Sequence, residues 1–192
     1  MSMMISTDTR AIVLRTARNA IEAQLDDRPL SLPTLTQAPH VSGVFVTLRV
    51  SGSLRGCIGF LELRGGLLET VAEAARYAAT QDVRFRPLTR KELQQCRIEV
   101  TLLGAPERIM DAEEFTLGRH GLIIEYDGNR GLLLPQVPVE RGWNRTEFLS
   151  ALCQKAQLSD SCWTHPDATL FRFEGLPISE ESAAPMERES SG

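Results

Sequence analysis

The residues best suited to chemistry lie in one run, residues 54–60, with the sequence LRGCIGF. Glycines flank Cys57, and glycine lets another backbone or a ligand approach closely. If the run is a β-strand, its period of two places Arg55 and Cys57 on one face, where the guanidinium would favour the reactive thiolate. Cys57 is therefore a candidate nucleophile, and Arg55, Gly56 and Gly59 are candidate substrate-binding residues. The alternative is that Cys57 packs as a small buried hydrophobe and the glycines serve a close strand crossing.

A nucleophilic thiol usually needs a base within hydrogen-bonding reach. His120 is the best candidate in this chain because its ordinary pKa is near neutral and glycines, Gly118 and Gly121, flank its segment. The alternative is a turn histidine that bonds to backbone.

Glu99 is the third candidate catalytic residue. It shares the polar face of a predicted strand with Arg97 and Thr101. If Glu99 faces a cleft, it could act as an acid, a base or a partner for Arg55. The alternative is that it lies on a solvated strand face.

Two further side chains are candidate substrate-binding groups. The planar guanidinium of Arg84 suits a carboxylate or phosphate, although an internal pair with Asp82 is an equal alternative. Gln136 offers an amide donor and acceptor and could orient a ligand or satisfy loop backbone.

Composition excludes several classes of protein. The chain has 192 residues, 42% hydrophobic residues and a net charge of -4, so it can bury a substantial core and lacks the basic face typical of duplex binding. We expect no nucleic-acid partner.

No apolar run approaches the ~20 residues of a membrane helix, and the start of the chain lacks a signal-peptide pattern, which predicts a cytoplasmic protein without membrane contact. The four scattered cysteines are then most simply free thiols, and no local His or Cys spacing predicts a metal or cofactor.

The apolar pattern predicts α+β elements that would position these residues. Helices are expected before residue 25, over 67–80, after Thr89 and after Asn144. Strands are expected over 44–50, over the LRGCIGF run, near 98–102, and in a hairpin around Asp127-Gly128, which suits a type I′ turn. A last strand is expected over residues 169–174.

Loop-forming segments in the sequence predict where one domain ends and the next begins. We expect a larger domain with a mainly antiparallel sheet, formed by residues 1–103 and 145–178, and a smaller inserted α+β subdomain, residues 104–144, with a cleft between them. The small, polar residues 179–192 predict a disordered tail.

The chain resembles the AMMECR-type family. The LRGCIG run matches that family's signature, and matching segments follow in the family's order over roughly residues 9–173: GVFVTL at 43–48, DVRF at 82–85, IEV at 98–100, GRHGL at 118–122, LLPQV at 133–137, GW at 142–143 and CQKA at 153–156. Val83 stands where the family usually has proline. The resemblance implies a two-domain α+β fold with the signature near a cleft. It also implies partners, because many prokaryotic relatives are encoded beside a Memo-type protein that resembles a dioxygenase and beside a radical-SAM protein, together called the AmmeMemoRadiSam system.

Two functions of different classes follow. The first is an enzyme, or an enzyme accessory subunit, that binds a small polar metabolite in the cleft around LRGCIG. The second is a non-catalytic adaptor for the Memo-type and radical-SAM proteins, which the absence of a P-loop, a dinucleotide fingerprint or a metal motif favours.

Overall fold

The computed structural model describes residues 5–180. Within that range the chain forms five helices and seven strands, with two additional short 3₁₀ turns. The elements are α1 Thr7–Leu25, β1 Gly43–Val50, β2 Ser53–Phe60, α2 Leu67–Thr80, α3 Arg90–Gln95, β3 Cys96–Leu103, β4 Glu107–Ile109, β5 His120–Tyr126, β6 Asn129–Leu133, α4 Gln136–Arg141, α5 Arg145–Lys155 and β7 Thr169–Ser179.

One curled antiparallel sheet connects the whole fold. Its strand order is β2-β1-β3-β7-β5-β6, and β4 also pairs with β7. The long strand β7 joins two halves, because its residues 175–179 pair with β3 and its residues 169–174 pair with β5. The α+β class with antiparallel sheet and flanking helices, predicted from the sequence, is confirmed.

The first half of the sheet is covered by α1 and α2. Alternate residues of β1 and β3, among them Val46 and Val100, pack with the alanine-rich face of α2 into one core. Period-two burial in the strands and period-3.6 burial in the helix produce this layer. The side chain of Ser6 caps α1 by accepting a hydrogen bond from the Thr9 N–H.

The second half has its own core, and α5 belongs to it. Phe148, Leu149 and Leu152 of α5 pack with Leu122 and Ile124 of β5. The predicted division after residue 144 is therefore not where the cores separate: α5 follows the middle segment into the second core, because its apolar face covers the β5–β6 hairpin.

A third cluster lies on the face of the sheet opposite α1 and α2. It contains Leu103, Ile123, Leu134 and Phe173, with partly buried neighbours that include Phe45 and Val137. The helix α4 contributes Val137 to this cluster. The sequence pattern did not predict α4, because Pro135 and Pro138 are typical of a break in regular structure.

The C-terminal expectation is wrong for the two residues that the structure describes. Ser179 is the last residue of β7, which runs five residues beyond the predicted strand. The carboxylate of Glu180 accepts two hydrogen bonds from Arg18 and one from the Ile98 N–H. Residues 181–192 of the predicted tail lie outside the described residues.

The expectation of four free thiols is also wrong. Cys153 near the end of α5 and Cys162 in the following 3₁₀ turn form a disulfide, whereas Cys57 and Cys96 are free. The pairing is formed across a nine-residue separation that contains no recognisable cysteine motif.

Over residues 5–180, the helices are all too short or too polar to cross a membrane.

Candidate functional site

A β-bulge determines how the LRGCIGF run is presented. The Ser51-Gly52 turn joins Val50 to Ser53, but the register shifts so that Leu54 pairs with Arg49 while Gly56 pairs with Leu48. Arg55 is the extra residue of the bulge. A bulge re-aims side chains, so the period-two argument that placed Arg55 beside Cys57 fails at this point.

The side chain of Arg55 is taken up by internal contacts. Its guanidinium lies 2.9 Å from the Glu92 carboxylate and donates to the carbonyl oxygens of Arg86 and Pro87. These bonds hold the 82–89 loop and the start of α3 against β2. The guanidinium also holds the pKa of Glu92 at about 2. Arg55 thus stabilises the loop, and all three nitrogens of its guanidinium are bonded within the protein.

The two glycines of the run lie on opposite faces for different steric reasons. A Cβ on Gly56 would overlap the carbonyl oxygen of Ala78 in α2, and a Cβ on Gly59 would overlap the ring of Phe45. Gly56 therefore permits close packing of α2 and does not face a ligand. Gly59 lies on the other face, beneath an aromatic ring.

Asp82 and Arg84 clamp the backbone of Cys57. The Cys57 N–H donates to Asp82 Oδ2 at 2.9 Å, and Arg84 Nη2 donates to the Cys57 carbonyl oxygen at 3.4 Å. Arg84 also pairs with Asp82 at 2.7 Å, and its hydrogen bonds lower the pKa of Asp82 to about 2. Since β2 is at one end of the sheet, the clamp satisfies backbone groups that have no neighbouring strand. Arg84 therefore forms the internal pair with Asp82 that was the alternative to substrate binding. Its side chain is nevertheless 54% exposed.

Three polar side chains from adjacent strands form a row across the sheet. Thr47 pairs in register with Cys57 on one side and with Glu99 on the other, and directly opposed residues share a face. We call the surface formed by Phe45, Thr47, Cys57, Gly59, Glu99 and Thr101 the motif face; it is opposite the α1–α2 core. The structure thus brings together two of the three predicted catalytic residues, Cys57 and Glu99, and adds Thr47, which the sequence reasoning missed.

The surroundings of Cys57 raise the pKa of its thiol and so disfavour the thiolate. Cys57 is half-buried, and burial raises the pKa of the thiol above its ordinary value, although the hydrogen bond with Thr47 and the Arg84 charge lower it in part. The nearby carboxylates of Asp82 and Glu99 raise it further. The predicted activation by Arg55 is wrong, because that guanidinium is bound to Glu92.

His120 lies far from this row. It begins β5, and three strands, β1, β3 and β7, separate that strand from β2. Its Nδ1 accepts a hydrogen bond from the Thr116 N–H at 2.9 Å, and burial, followed by the charges of Arg172 and Arg119, lowers its pKa. His120 is therefore a backbone-bonded histidine, as the alternative interpretation had it. It is not positioned to serve Cys57 as a base.

The motif face has polar groups without partners in the described structure. Thr101 is 1% exposed, and its Oγ1 finds no hydrogen-bond partner among residues 5–180. Glu99 and Gln136 are half-buried. Buried polar groups are normally satisfied, so these groups distinguish the motif face from the clamp around it.

The segment that begins with Gln136 borders the motif face. Pro135 lies against Gly175, close to the position of the Thr101 methyl group. At the other end of α4, Glu140 accepts a hydrogen bond from Arg49 at 3.2 Å, and Arg49 is two residues beyond Thr47 on β1. The α4 segment is thus held next to the motif face at two points.

No cluster of three His, Cys, Asp or Glu side chains in residues 5–180 has the arrangement of a metal site. The motif face offers a carboxylate, hydroxyls and a thiol, and Gln136 in the bordering α4 segment offers an amide.

Comparison with known proteins covers the residues described above. The AMMECR1 family model matches residues 14–177, which include the clamp, the motif face and Gln136. The chain belongs to the AMMECR1 family. A Methanocella arvoryzae protein is 43% identical over 92% of this chain and 93% of its own length. A Thermococcus kodakarensis protein is 40% identical, with 88% of this chain and 89% of the relative covered.

A solved structure has the same fold. The crystal structure of an uncharacterized protein from Pyrococcus horikoshii superposes with a TM-score of 0.85 at 37% identity, covering 92% of this chain and 94% of that one. AMMECR1 membership therefore establishes the fold and the family, and the activity has to be argued from the site.

Proposed function

We propose that this AMMECR1 protein binds a small polar metabolite on the motif face, as an enzyme or as the accessory subunit of one. The observation that carries the proposal is the contrast between two sets of polar groups in the same region. Arg55, Asp82 and Arg84 are engaged in internal bonds, whereas Glu99, Thr101 and Gln136 have free hydrogen-bonding capacity. Polar groups that converge beside apolar ones are typical of ligand sites.

The state of Cys57 limits the mechanism. A thiol with a raised pKa, whose side-chain hydrogen bond is to the Thr47 hydroxyl and not to a base, is a poor nucleophile. The proposal therefore gives Cys57 a ligand-contacting role, and gives acid–base work, where the reaction requires any, to the Glu99 carboxylate. Gly59 and Phe45 form the apolar border of the site.

Equilibrium dialysis of the full chain against a cellular small-molecule extract, read by mass spectrometry, tests this function. We expect a small polar compound to be enriched by the wild-type protein and lost from the Cys57→Leu protein, in which the larger side chain fills the motif face. Ile58→Leu is the matched control, because Ile58 packs toward the α1–α2 core. If neither protein enriches any compound, or both enrich the same one, the proposed site is refuted.

The second candidate is a non-catalytic adaptor for the Memo-type and radical-SAM proteins. The raised pKa of Cys57 and the separation of His120 from it favour a role without covalent chemistry. Val83, 99% exposed in the clamp loop, and Val139, 67% exposed in α4, offer apolar contacts beside the motif face. Co-purification with both proteins, reduced by Val139→Asp but not by Met110→Asp, would support this candidate, and no association with either would contradict it.

A further inference from the structure

Glu99 has no counter-ion in the described structure. Its carboxylate forms no hydrogen bond or ion pair with any of residues 5–180, although it lies half-buried in the middle of the motif face. A half-buried charge is costly to leave unpaired. We propose that the ligand of the motif face carries a cationic amine or amidinium group that binds Glu99, an inference that rests on the proposed function.

The arginines nearest to Glu99 along the sheet are bonded to other groups, although Ser179, which Arg97 contacts, pairs in register with Glu99. Arg97, two residues earlier on β3, donates to the Glu180 carbonyl oxygen at 3.0 Å and to Ser179 Oγ at 3.2 Å. Arg49, which pairs in register with Arg97, lies 3.2 Å from the Glu140 carboxylate. Neither guanidinium bonds to Glu99, so the carboxylate is available to a ligand.

The groups around Glu99 are suited to N–H donors. Thr47 Oγ1, in register with Glu99, and Thr101 Oγ1 on the same face can each accept a hydrogen bond, and the Thr101 hydroxyl is buried without a partner. An ammonium has three donors and an amidinium has several, which a carboxylate and neighbouring oxygens satisfy at short range. A ligand carboxylate or phosphate would instead meet Glu99 as a like charge.

Three four-carbon probes that differ in charge test the inference: 1,4-diaminobutane, 1,4-butanediol and succinate. Each is titrated into the full chain, and binding is followed by NMR at the backbone amides of Thr47, Cys57 and Glu99. We expect only the diamine to shift these amides, and we expect Glu99→Gln to weaken its binding by about tenfold or more, since the charged partner of the hydrogen bond is lost. Glu125→Gln is the matched control, because Glu125 is also a half-exposed strand glutamate but pairs with Arg130 at 3.2 Å.

The outcomes separate the inference from the function on which it rests. If the diol or succinate shifts the same amides, the motif face binds ligands but the cationic class is wrong. If the diamine binds Glu99→Gln as tightly as wild type, Glu99 is not its partner. If none of the three probes shifts these amides, both the inference and the proposed function are contradicted.

Discussion

At the residue scale, the Asp82 carboxylate is the most connected polar group of the clamp. It accepts hydrogen bonds from the Cys57 N–H, the Arg84 N–H and the Arg84 guanidinium, and its side chain is only 4% exposed. Hydrogen bonds to a buried charge are worth more than neutral ones. Asp82 therefore fixes the outer edge of β2 at the residue whose thiol lies on the motif face.

We predict that Asp82→Asn lowers the free energy of unfolding by about 2–3 kcal/mol at neutral pH, because a buried carboxylate loses its charge-assisted hydrogen bonds with Arg84 and the Cys57 N–H. The loss should depend on pH. The folded-state pKa of Asp82 is lowered from 3.8 to about 2, so its contribution is present above pH 3.8 and is lost as the pH falls toward 2. Urea unfolding of wild type and variant across this range measures the difference.

Asp26→Asn is the control for this prediction. Asp26 pairs with Arg90 at 2.7 Å but is 33% exposed, and a surface ion pair contributes little. A pH-independent difference between wild type and Asp82→Asn would show that the charge of Asp82 does not stabilise the fold.

Alkylation measures the state of Cys57 directly. Burial raises the pKa of Cys57 and raises that of the buried Cys96 to about 11. We predict that, near pH 8, iodoacetamide modifies native Cys57 more slowly than a free cysteine, and Cys96 more slowly still, because the thiolate is the reactive species. Mass spectrometry with urea-unfolded protein as the reference gives both rates. If native Cys57 reacts faster than Cys57 in the unfolded chain, the thiol is activated and this prediction is wrong.

At the element scale, the packing of α2 on β2 depends on Gly56. We predict that Gly56→Ala destabilises the protein by about 2 kcal/mol, since overpacking at a backbone contact forces the helix to move, and that the amide signals of Thr47 and Cys57 shift as β2 is displaced. Thermal unfolding and NMR test the two effects. Gly52→Ala is the control, because Gly52 has φ +80° but nothing within 4 Å of an added Cβ, and it isolates conformational strain. Equal shifts at Cys57 in the two variants would contradict the steric explanation.

Local rules predicted most elements but not the contacts that build the site. Periodicity and capping boxes at Thr89 and Asn144 located the helices, and Asp127-Gly128 located the β5–β6 turn, because these signals depend on neighbouring residues. Simple counting from the Ser51-Gly52 turn pairs Cys57 with Val46, whereas the bulge pairs it with Thr47. The extra residue of the bulge, Arg55, pairs with Glu92, a tertiary contact that no local pattern encodes.

The relation of Glu99 to Cys57 could be predicted only in part. The family resemblance covers the segments that contain both residues, and strand periodicity placed Glu99 on a polar face. Their alignment through Thr47 required the strand order, in which β1 lies between β2 and β3. His120 was misassigned as a partner of Cys57 for the same reason, since its distance from Cys57 is set by the order of strands in the sheet.

At the scale of the whole molecule, two cores share one sheet and differ in how they are closed. The first core has long helices on one face, whereas the second depends on the short helix α5 and the loop that follows it. The Cys153–Cys162 disulfide ties the end of α5 to that loop, and both cysteines are buried among the residues of the second core. The disulfide therefore stabilises the half of the molecule that has the smaller helical layer.

We predict that the Cys153→Ser/Cys162→Ser double variant lowers the free energy of unfolding by about 2–3 kcal/mol, the chain-entropy value for a loop of this size. The loss should be concentrated in the second half: hydrogen exchange should quicken in α5, β5 and β6 and stay nearly unchanged in α1, α2 and β1. Cys96→Ser is the control for placing a hydroxyl in a buried site. Equal acceleration in both halves would mean that the two cores unfold as one unit through β7, and a stability equal to that of wild type would mean that α5 and its loop are held by packing alone.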